Sequence, residues 1–386
     1  MKSTNVCAQK LHDSLKNAMG NPLIMTFSDS HQNGTVAEGI FSRFLTEDAK
    51  RLEYFPSPET RHMKTQLHWG QLKLLLSEVE FLTLALKQHQ ASGTNKTITV
   101  VYAGAAPGSH ILVLAELFPQ MNFVLYDPQS FDKLLFSHPR IEIHTGKDEG
   151  FFTEIDAEYW NGQNSWNEDE YIVFVTDIRN PSVESSSDVE VEAFIKEDMD
   201  RQLAWWLLMQ PELSSFKFRL PWGEGRTRYV NGIQYLQAYP CLMSTETRLV
   251  VEKGASLIDY DNKTYEQQCF HHNYVVRAAE HSDVCGVGAY LHQCRGLDMC
   301  YDCTSFVFIV KTYLETVGMA TTSDAIMQMV NRLVSKAGSR MDLVDAYAIH
   351  QSQMLESWRK KRGIRRVFAD TGAARRSKVC SGNTVD

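Results

Sequence analysis

The chain contains no run of eighteen apolar residues, so a membrane-spanning helix of ordinary length is excluded. Residues 1–30 lack the basic start and apolar centre of a secretion signal, and a soluble intracellular protein is expected, with no membrane partner. Basic charge is not in excess. A net charge of −8 over 386 residues argues against a protein that coats nucleic acid through charge alone. Cysteine is sparse, and the eight present lack the paired spacing of a zinc site. Cys300 and Cys303 form C-x-x-C, but eight residues separate Cys285 from Cys294, so reduced thiols and no metal are expected. Internal repeats are absent, as is a linker between two large cores, so one elaborated domain with extensions is the simplest organisation.

The most informative stretch is Thr97 to His110, TITVVYAGAAPGSH. Five of the seven residues from Thr97 to Ala103 are apolar or aromatic, the composition of a strand buried on both faces of a parallel sheet. Gly104 and Gly108 let the backbone turn tightly and approach a ligand. A helix over Ile111 to Phe118 and a second strand over Asn122 to Tyr126 follow, ending at Asp127. An acid placed there can accept both hydroxyls of a ribose. The turn lacks the third glycine of the dinucleotide fingerprint, which favours a cofactor without phosphate such as S-adenosylmethionine. An ordinary strand-to-helix turn is the competing reading.

Alternation continues along the chain. Gln71 to Gln88 reads as a helix, Arg140 to His144 and Tyr171 to Thr176 as strands, and Val191 to Gln210 as a long helix with Trp205 and Trp206 in the core. Leu213 to Leu220 and Thr247 to Val251 complete the pattern of a doubly wound, mostly parallel α/β sheet with helices on both faces. Asp156 to Asp169 and Asn180 to Asp188 read as surface loops. Beyond Asn262 a helical extension is expected over Tyr265 to Ala279, Thr304 to Thr316, Thr322 to Lys336 and Met341 to Lys360. From Arg359 to Lys378 nine basic residues stand against the single acid Asp370, a composition that suits RNA phosphates or nuclear import, or simply a solvated terminus.

Four ionisable residues lie on or beside core elements: Lys73, Asp177, Lys217 and Glu246. Alone they could form a buried ion-pair network with no catalytic role. Their order, however, is the Lys-Asp-Lys-Glu tetrad of RNA ribose 2′-O-methyltransferases. The strings GQLKLLLSE, VVYAGAAPGSHI, TDIR, SSFKFRLPW and STETRL, with a later YE, resemble the poxvirus-type cap-specific mRNA (nucleoside-2′-O-)-methyltransferase family. Its viral members double as the small, regulatory subunit of a poly(A) polymerase, and it has relatives among kinetoplastid cap methyltransferases. The resemblance spans Glu53 to Lys311.

It implies a Rossmann-like fold that binds S-adenosylmethionine through Gln71, Tyr102, Gly104, Gly108, His110, Asp127, Asp177 and Arg179. It implies catalysis by Lys73, Asp177, Lys217 and Glu246, with Lys217 as the base, its pKa lowered by burial and by the Lys73 cation. It places a 7-methylguanine pocket at Tyr54, Trp222, Glu224 and Glu266, and hence m7G-capped mRNA as substrate. A poly(A) polymerase or other capping-machinery partner is implied too. Where the family has an arginine shortly after the ribose-binding acid, this chain has Pro128 and Gln129. His110, as a lone histidine, could equally satisfy local backbone. The expected organisation is an N-terminal extension over 1–52, a methyltransferase domain over 53–357 and a disordered basic tail over 358–386, in a nuclear protein or, alternatively, one of a cytoplasmic viral factory. A non-catalytic RNA-binding or polymerase-stimulating subunit that kept the fold is the second function class.

Overall fold

The computed structural model describes residues 24–25, 41–53, 67–162, 167–179, 188–241, 244–278, 281, 290, 297 and 300–336. Its strands are β1 (Ile24–Met25), β2 (Phe41–Ser42), β3 (Thr97–Ala103), β4 (Met121–Asp127), β5 (Ile141–Thr145), β6 (Glu170–Thr176), β7 (Leu213–Phe218), β8 (Arg226–Val230), β9 (Ile233–Tyr235), β10 (Thr247–Glu252) and β11 (Leu257–Asp261). Its α-helices are α1 (Leu67–Ser92), α2 (Ile111–Leu117), α3 (Gly146–Glu149), α4 (Glu154–Tyr159), α5 (Asp188–Met209), α6 (Asn262–Tyr274), α7 (Tyr301–Thr316) and α8 (Ser323–Lys336).

Seven strands form one sheet in the order β5-β4-β3-β6-β7-β10-β9, with β5 to β7 parallel and β10 antiparallel to both its neighbours. The expected doubly wound sheet is therefore present. Strand β3 shows why it is buried on both sides: Ile98, Val100 and Tyr102 join the core beneath α1, α2, α7 and α8, while Val101 and Ala103 join the opposite core beneath α4, α5 and α6. Helix α1 places Leu72, Leu75, Leu76, Val79, Leu82 and Leu86 in the first core at helical spacing and stops at Gly93, whose φ of +65° ends the helix in the left-handed region. Helix α7 packs between α1 and α8, and the buried stripe Ile326, Met329, Val330, Leu333 and Val334 seats α8 on it.

Several details differ from the sequence reading. Residues 154–159 are a helix rather than a loop: Thr153 Oγ1 accepts from Asp156 N, and Asp156 Oδ2 accepts from Thr153 N, a reciprocal cap that the acidic composition hides. Trp205 and Trp206, by contrast, are both buried as expected, because α5 packs against α4 as well as the sheet. The short strands β8 and β11, which pair antiparallel, and β9 escape periodicity altogether. The loop over 180–187, the helix expected over 341–360, the tail, Cys285 and Cys294 lie outside the described residues. Cys300 precedes α7, and the buried Cys303 thiol receives the Tyr239 hydroxyl. Among the described residues no helix is long and apolar enough to cross a membrane.

The expected boundary at residue 53 does not mark the start of the packed core. Leu45 N donates to Gln234 O and Leu236 N to Arg43 O, so residues 43–45 cover the outer edge of β9. Arg43 is fully buried and spends all five of its N–H donors: on both Glu80 oxygens (2.8 and 2.6 Å), Tyr301 Oη (2.7 Å), Ser305 Oγ (2.9 Å) and Leu236 O (2.8 Å). One side chain thus ties the N-terminal segment to α1, α7 and the end of β9. Arg43→Met leaves the Glu80 carboxylate buried without its cation and is expected to cost about 3–5 kcal/mol of unfolding free energy, read by denaturant titration. A variant within about 1 kcal/mol of the native protein would show that the segment only decorates the core.

Candidate active site

The parallel strands end along one edge, and four charged side chains meet there. Asp177 follows β6, Lys217 lies on β7, Glu246 opens β10, and Lys73 reaches in from the first turns of α1. Because β10 runs against its neighbours, its beginning lies where β6 and β7 finish. Lys217 Nζ is 3.0 Å from Asp177 Oδ1, and Lys73 Nζ donates to Glu246 Oε1 at 2.8 Å. The structure therefore brings all four of these residues together, as two cation–carboxylate pairs.

A fifth charge joins them, and its role was not read from the sequence. Arg248 is buried on β10. Its Nη2 donates to Asp177 Oδ1 at 2.9 Å and lies 3.6 Å from Glu246 Oε1, and its Nη1 donates to Thr176 O. Burial works against charge on both carboxylates. Lys217 and Arg248 nevertheless hold Asp177 below the ordinary carboxylate range, and Lys73, Lys217 and Arg248 hold Glu246 well below it. The stability these pairs contribute is complete above the ordinary carboxylate range and is lost as pH falls through the depressed values.

The Lys217 amine is pushed below the usual lysine range, first by burial and then by Arg179 and Arg248, against the pull of Asp177 and Glu246. Arg179 and Arg248 are the leading cations in that shift, while Lys73 is paired with Glu246. Lys217 keeps 15% of its side chain exposed, so the amine is shielded but still reaches the surface at the strand ends. Arg179 stands at the rim, 64% exposed, with Nη2 3.8 Å from Glu246 Oε2.

The glycine turn also makes room within the protein. At Gly104, φ +84°, a Cβ would come within 2.7 Å of Ile178 N, so the missing side chain lets the end of β3 press against the chain leaving β6. At Gly108 it would meet Leu135 and Phe131. Both glycines make room for the protein itself. Asp127 is the last residue of β4, and its carboxylate accepts backbone N–H bonds from Ala106 (3.1 Å) and Gln129 (2.8 Å), which fixes its orientation and leaves each oxygen a further acceptor site.

Tyr102 and His110, carried over as cofactor contacts, have buried side chains that turn away to α1. Tyr102 Oη donates to Glu78 Oε1 at 2.6 Å and His110 Nε2 to the same oxygen at 3.0 Å. They support the turn from beneath. Burial alone would favour a neutral His110 ring, but the Glu78 carboxylate outweighs it and raises the pKa. Glu78 is a second residue that sequence reasoning missed, although GQLKLLLSE contains it. Glu78 Oε2, His110 Nδ1 and Gln71 Oε1 are buried with no protein partner among the described residues. Gln71 and Glu78 lie two turns apart on one face of α1.

Next to the tetrad, Trp222 is 41% exposed. The Arg219 guanidinium stacks on its ring at 4.8 Å and is itself paired with Glu192, while Trp222 Nε1 donates to Thr245 Oγ1. Glu266 is buried, with Oε2 accepting from Gly223 N (3.0 Å) and Oε1 bound by Lys263 (3.1 Å), so it holds the Trp222 loop. Glu224 is exposed, and Tyr54 lies outside the described residues.

A sequence model of the poly(A) polymerase regulatory subunit matches residues 43–333. The chain belongs to that family. Among poly(A) polymerase regulatory subunit relatives, the cap-specific mRNA (nucleoside-2′-O-)-methyltransferase of myxoma virus (strain Lausanne) is 26% identical over 248 residues, 61% of this chain and 69% of that protein. The protein of the same description from fowlpox virus (strain NVSL) is 29% identical over 246 residues, 58% of this chain and 73% of its own. Among solved structures, bluetongue virus VP4 covers 69% of this chain and 42% of its own at 13% identity, with a TM-score of 0.36, too low to carry an argument. All the tetrad residues, Arg248 and Glu78 fall within the stretch matched by the regulatory subunit family.

Glu78→Gln removes the charge that fastens Tyr102 and His110 under the turn. Cofactor affinity is expected to fall about tenfold, with a stability loss of about 1–3 kcal/mol, measured by calorimetric titration and thermal unfolding. Unchanged affinity would separate the turn from its support.

Proposed function

We propose that the protein transfers a methyl group from S-adenosylmethionine to the ribose 2′-oxygen of a nucleotide near the 5′ cap of m7G-capped mRNA. The observation that carries this reading is Lys217: a largely buried amine at the ends of the parallel strands, 15% exposed, held by Asp177 and driven toward its neutral form. The description of the myxoma and fowlpox relatives supports it.

The residues present fit the cofactor. Asp127 keeps acceptor sites for ribose hydroxyls, and the unpartnered Gln71 and Glu78 oxygens suit the ammonium end of an amino acid. When bound, S-adenosylmethionine supplies an electrophilic methyl carried on a sulfonium. A ribose hydroxyl is a weak nucleophile until its proton has somewhere to go, and neutral Lys217 Nζ can accept it. Asp177 orients that amine, and Glu246 holds Lys73 beside it. Trp222 offers an aromatic surface to 7-methylguanine, whose positive charge favours stacking, with Glu224, Glu266 and Tyr54 completing the pocket. The nucleus is the proposed location, on the basic run Arg359 to Lys378.

A second reading, favoured by the family's description, is that the protein stimulates a poly(A) polymerase and binds RNA without chemistry. Labelled-methyl transfer to capped RNA separates the two, since only the first predicts incorporation.

Lys217→Ala is expected to abolish methyl transfer while leaving the dissociation constant of S-adenosylmethionine within about twofold, because the amine serves the RNA hydroxyl. Near-normal turnover in that variant would remove Lys217 from the chemistry. In the native protein the rate is expected to rise with pH through a midpoint below the ordinary lysine range. Trp222→Ala is expected to weaken binding of a 7-methylguanosine cap analogue about tenfold, about 1.4 kcal/mol, and to spare the cofactor. Equal affinity of the native protein for methylated and unmethylated analogues would rule out a cap sensor here.

A further inference from the structure

Directly below the tetrad the face of the sheet under α1 turns polar. Lys217 pairs in register with Arg248, and Arg248 with Tyr235, so these three side chains project to the same face of β7, β10 and β9. Two residues past Tyr235 lies Gln237. It is buried, and its Nε2 donates both to Glu246 Oε1 (3.0 Å) and to Glu246 O (3.1 Å). That fixes the amide: the nitrogen faces Glu246 and the oxygen faces the interior. Gln237 Oε1 is an acceptor with no protein donor among the described residues, and Arg248 Nε is a donor with no protein acceptor. Both side chains line one small cavity between the sheet and α1, of about 10 Å³, together with Ser77 and Ser215 and the apolar walls of Phe81 and Val250. That volume is about one water-sized sphere.

An unmatched donor and an unmatched acceptor on one water-sized space call for a molecule that can both accept and donate. We propose that a resident water accepts from Arg248 Nε and donates to Gln237 Oε1, and that Gln237 is thereby a positioning residue for the lysine chemistry, acting through Glu246 and Arg248. It rests on the methyl-transfer reading only for its consequence in catalysis. Gln237 neutralises part of the Glu246 charge by hydrogen bonding, and the water anchors the Arg248 cation near Lys217. Loss of either change favours the protonated lysine, so the two effects have the same sign.

The test is the titration of Lys217, followed by NMR of lysine labelled at Cε, in the native protein and in Gln237→Met, a substitution of similar volume. The midpoint is expected to move up by about half a pH unit or more in the variant. An unchanged or lowered midpoint overturns the positioning role, even if turnover falls. A crystal structure of the native protein at about 1.5 Å resolution is the second arm and does not depend on the variant folding. Solvent density within hydrogen-bond reach of Arg248 Nε and Gln237 Oε1 is expected, and an empty cavity overturns the bridge. Failure of the native protein to transfer methyl groups would count against the enzymatic reading and leave both arms valid.

Discussion

The site depends on one buried guanidinium. Arg248 lies between Asp177 and Glu246, two carboxylates that would otherwise repel each other and recover their protons in a setting poor in water. Each such charge costs several kcal/mol to bury, and only the close opposite partner offsets it. With the lysines and Arg248 in place both carboxylates stay ionised, and each holds a lysine. The same cation adds to burial and to Arg179 in making Lys217 a weaker holder of its proton. One side chain therefore adds to the lysines in keeping the acids charged and to burial in biasing the base toward neutrality.

Beneath this charged layer lies a second layer of support. Glu78 gathers Tyr102 and His110 under the glycine turn, and Arg43 gathers Glu80, Tyr301 and Ser305. Glu78 and Glu80 are two residues apart in α1 but serve different neighbours, one under the glycine turn and one toward α7. The helix is thus more than a cover for the sheet. It carries Lys73 to the tetrad and, within the next two turns, the acids that fasten the elements around it.

Much of the fold was legible in the chain because the central strands are buried on both faces, and valine, isoleucine and aromatic runs record that directly. Strand β3 was read to the residue. Short strands such as β9 have too few positions to show a period, and α4 hid because a helix of six residues begins on an acidic cap. The tetrad was legible through motif order rather than through any physical pattern, since a lysine in a strand reads equally well as a solvated edge. Arg248 stood inside a quoted motif without a role for the same reason: alternation along β10 does not reveal that one of its side chains faces two acids. Tyr102 and His110 were assigned to the cofactor through the family resemblance, and only the position of Glu78 beneath them shows where their polar atoms go. Residues 43–45 lack any periodic signal, because a segment that adds one bridge to an edge strand needs none.

The reversed direction of β10 has a consequence for how the chain acquires this site. Strand β9 precedes β10 in the sequence but joins the sheet through it, since β10 lies between β7 and β9. During synthesis β9 emerges before its strand neighbour exists, and it must wait for residues 247–252. When β10 enters, it completes the sheet and delivers Glu246 and Arg248 in the same movement. Closure of this half of the sheet and assembly of the charged cluster are then a single late event of long sequence separation, with α1 and its lysine held ready some 170 residues earlier. A nascent chain halted short of β10 carries the lysines and the aspartate but not the arginine that lets them share one place.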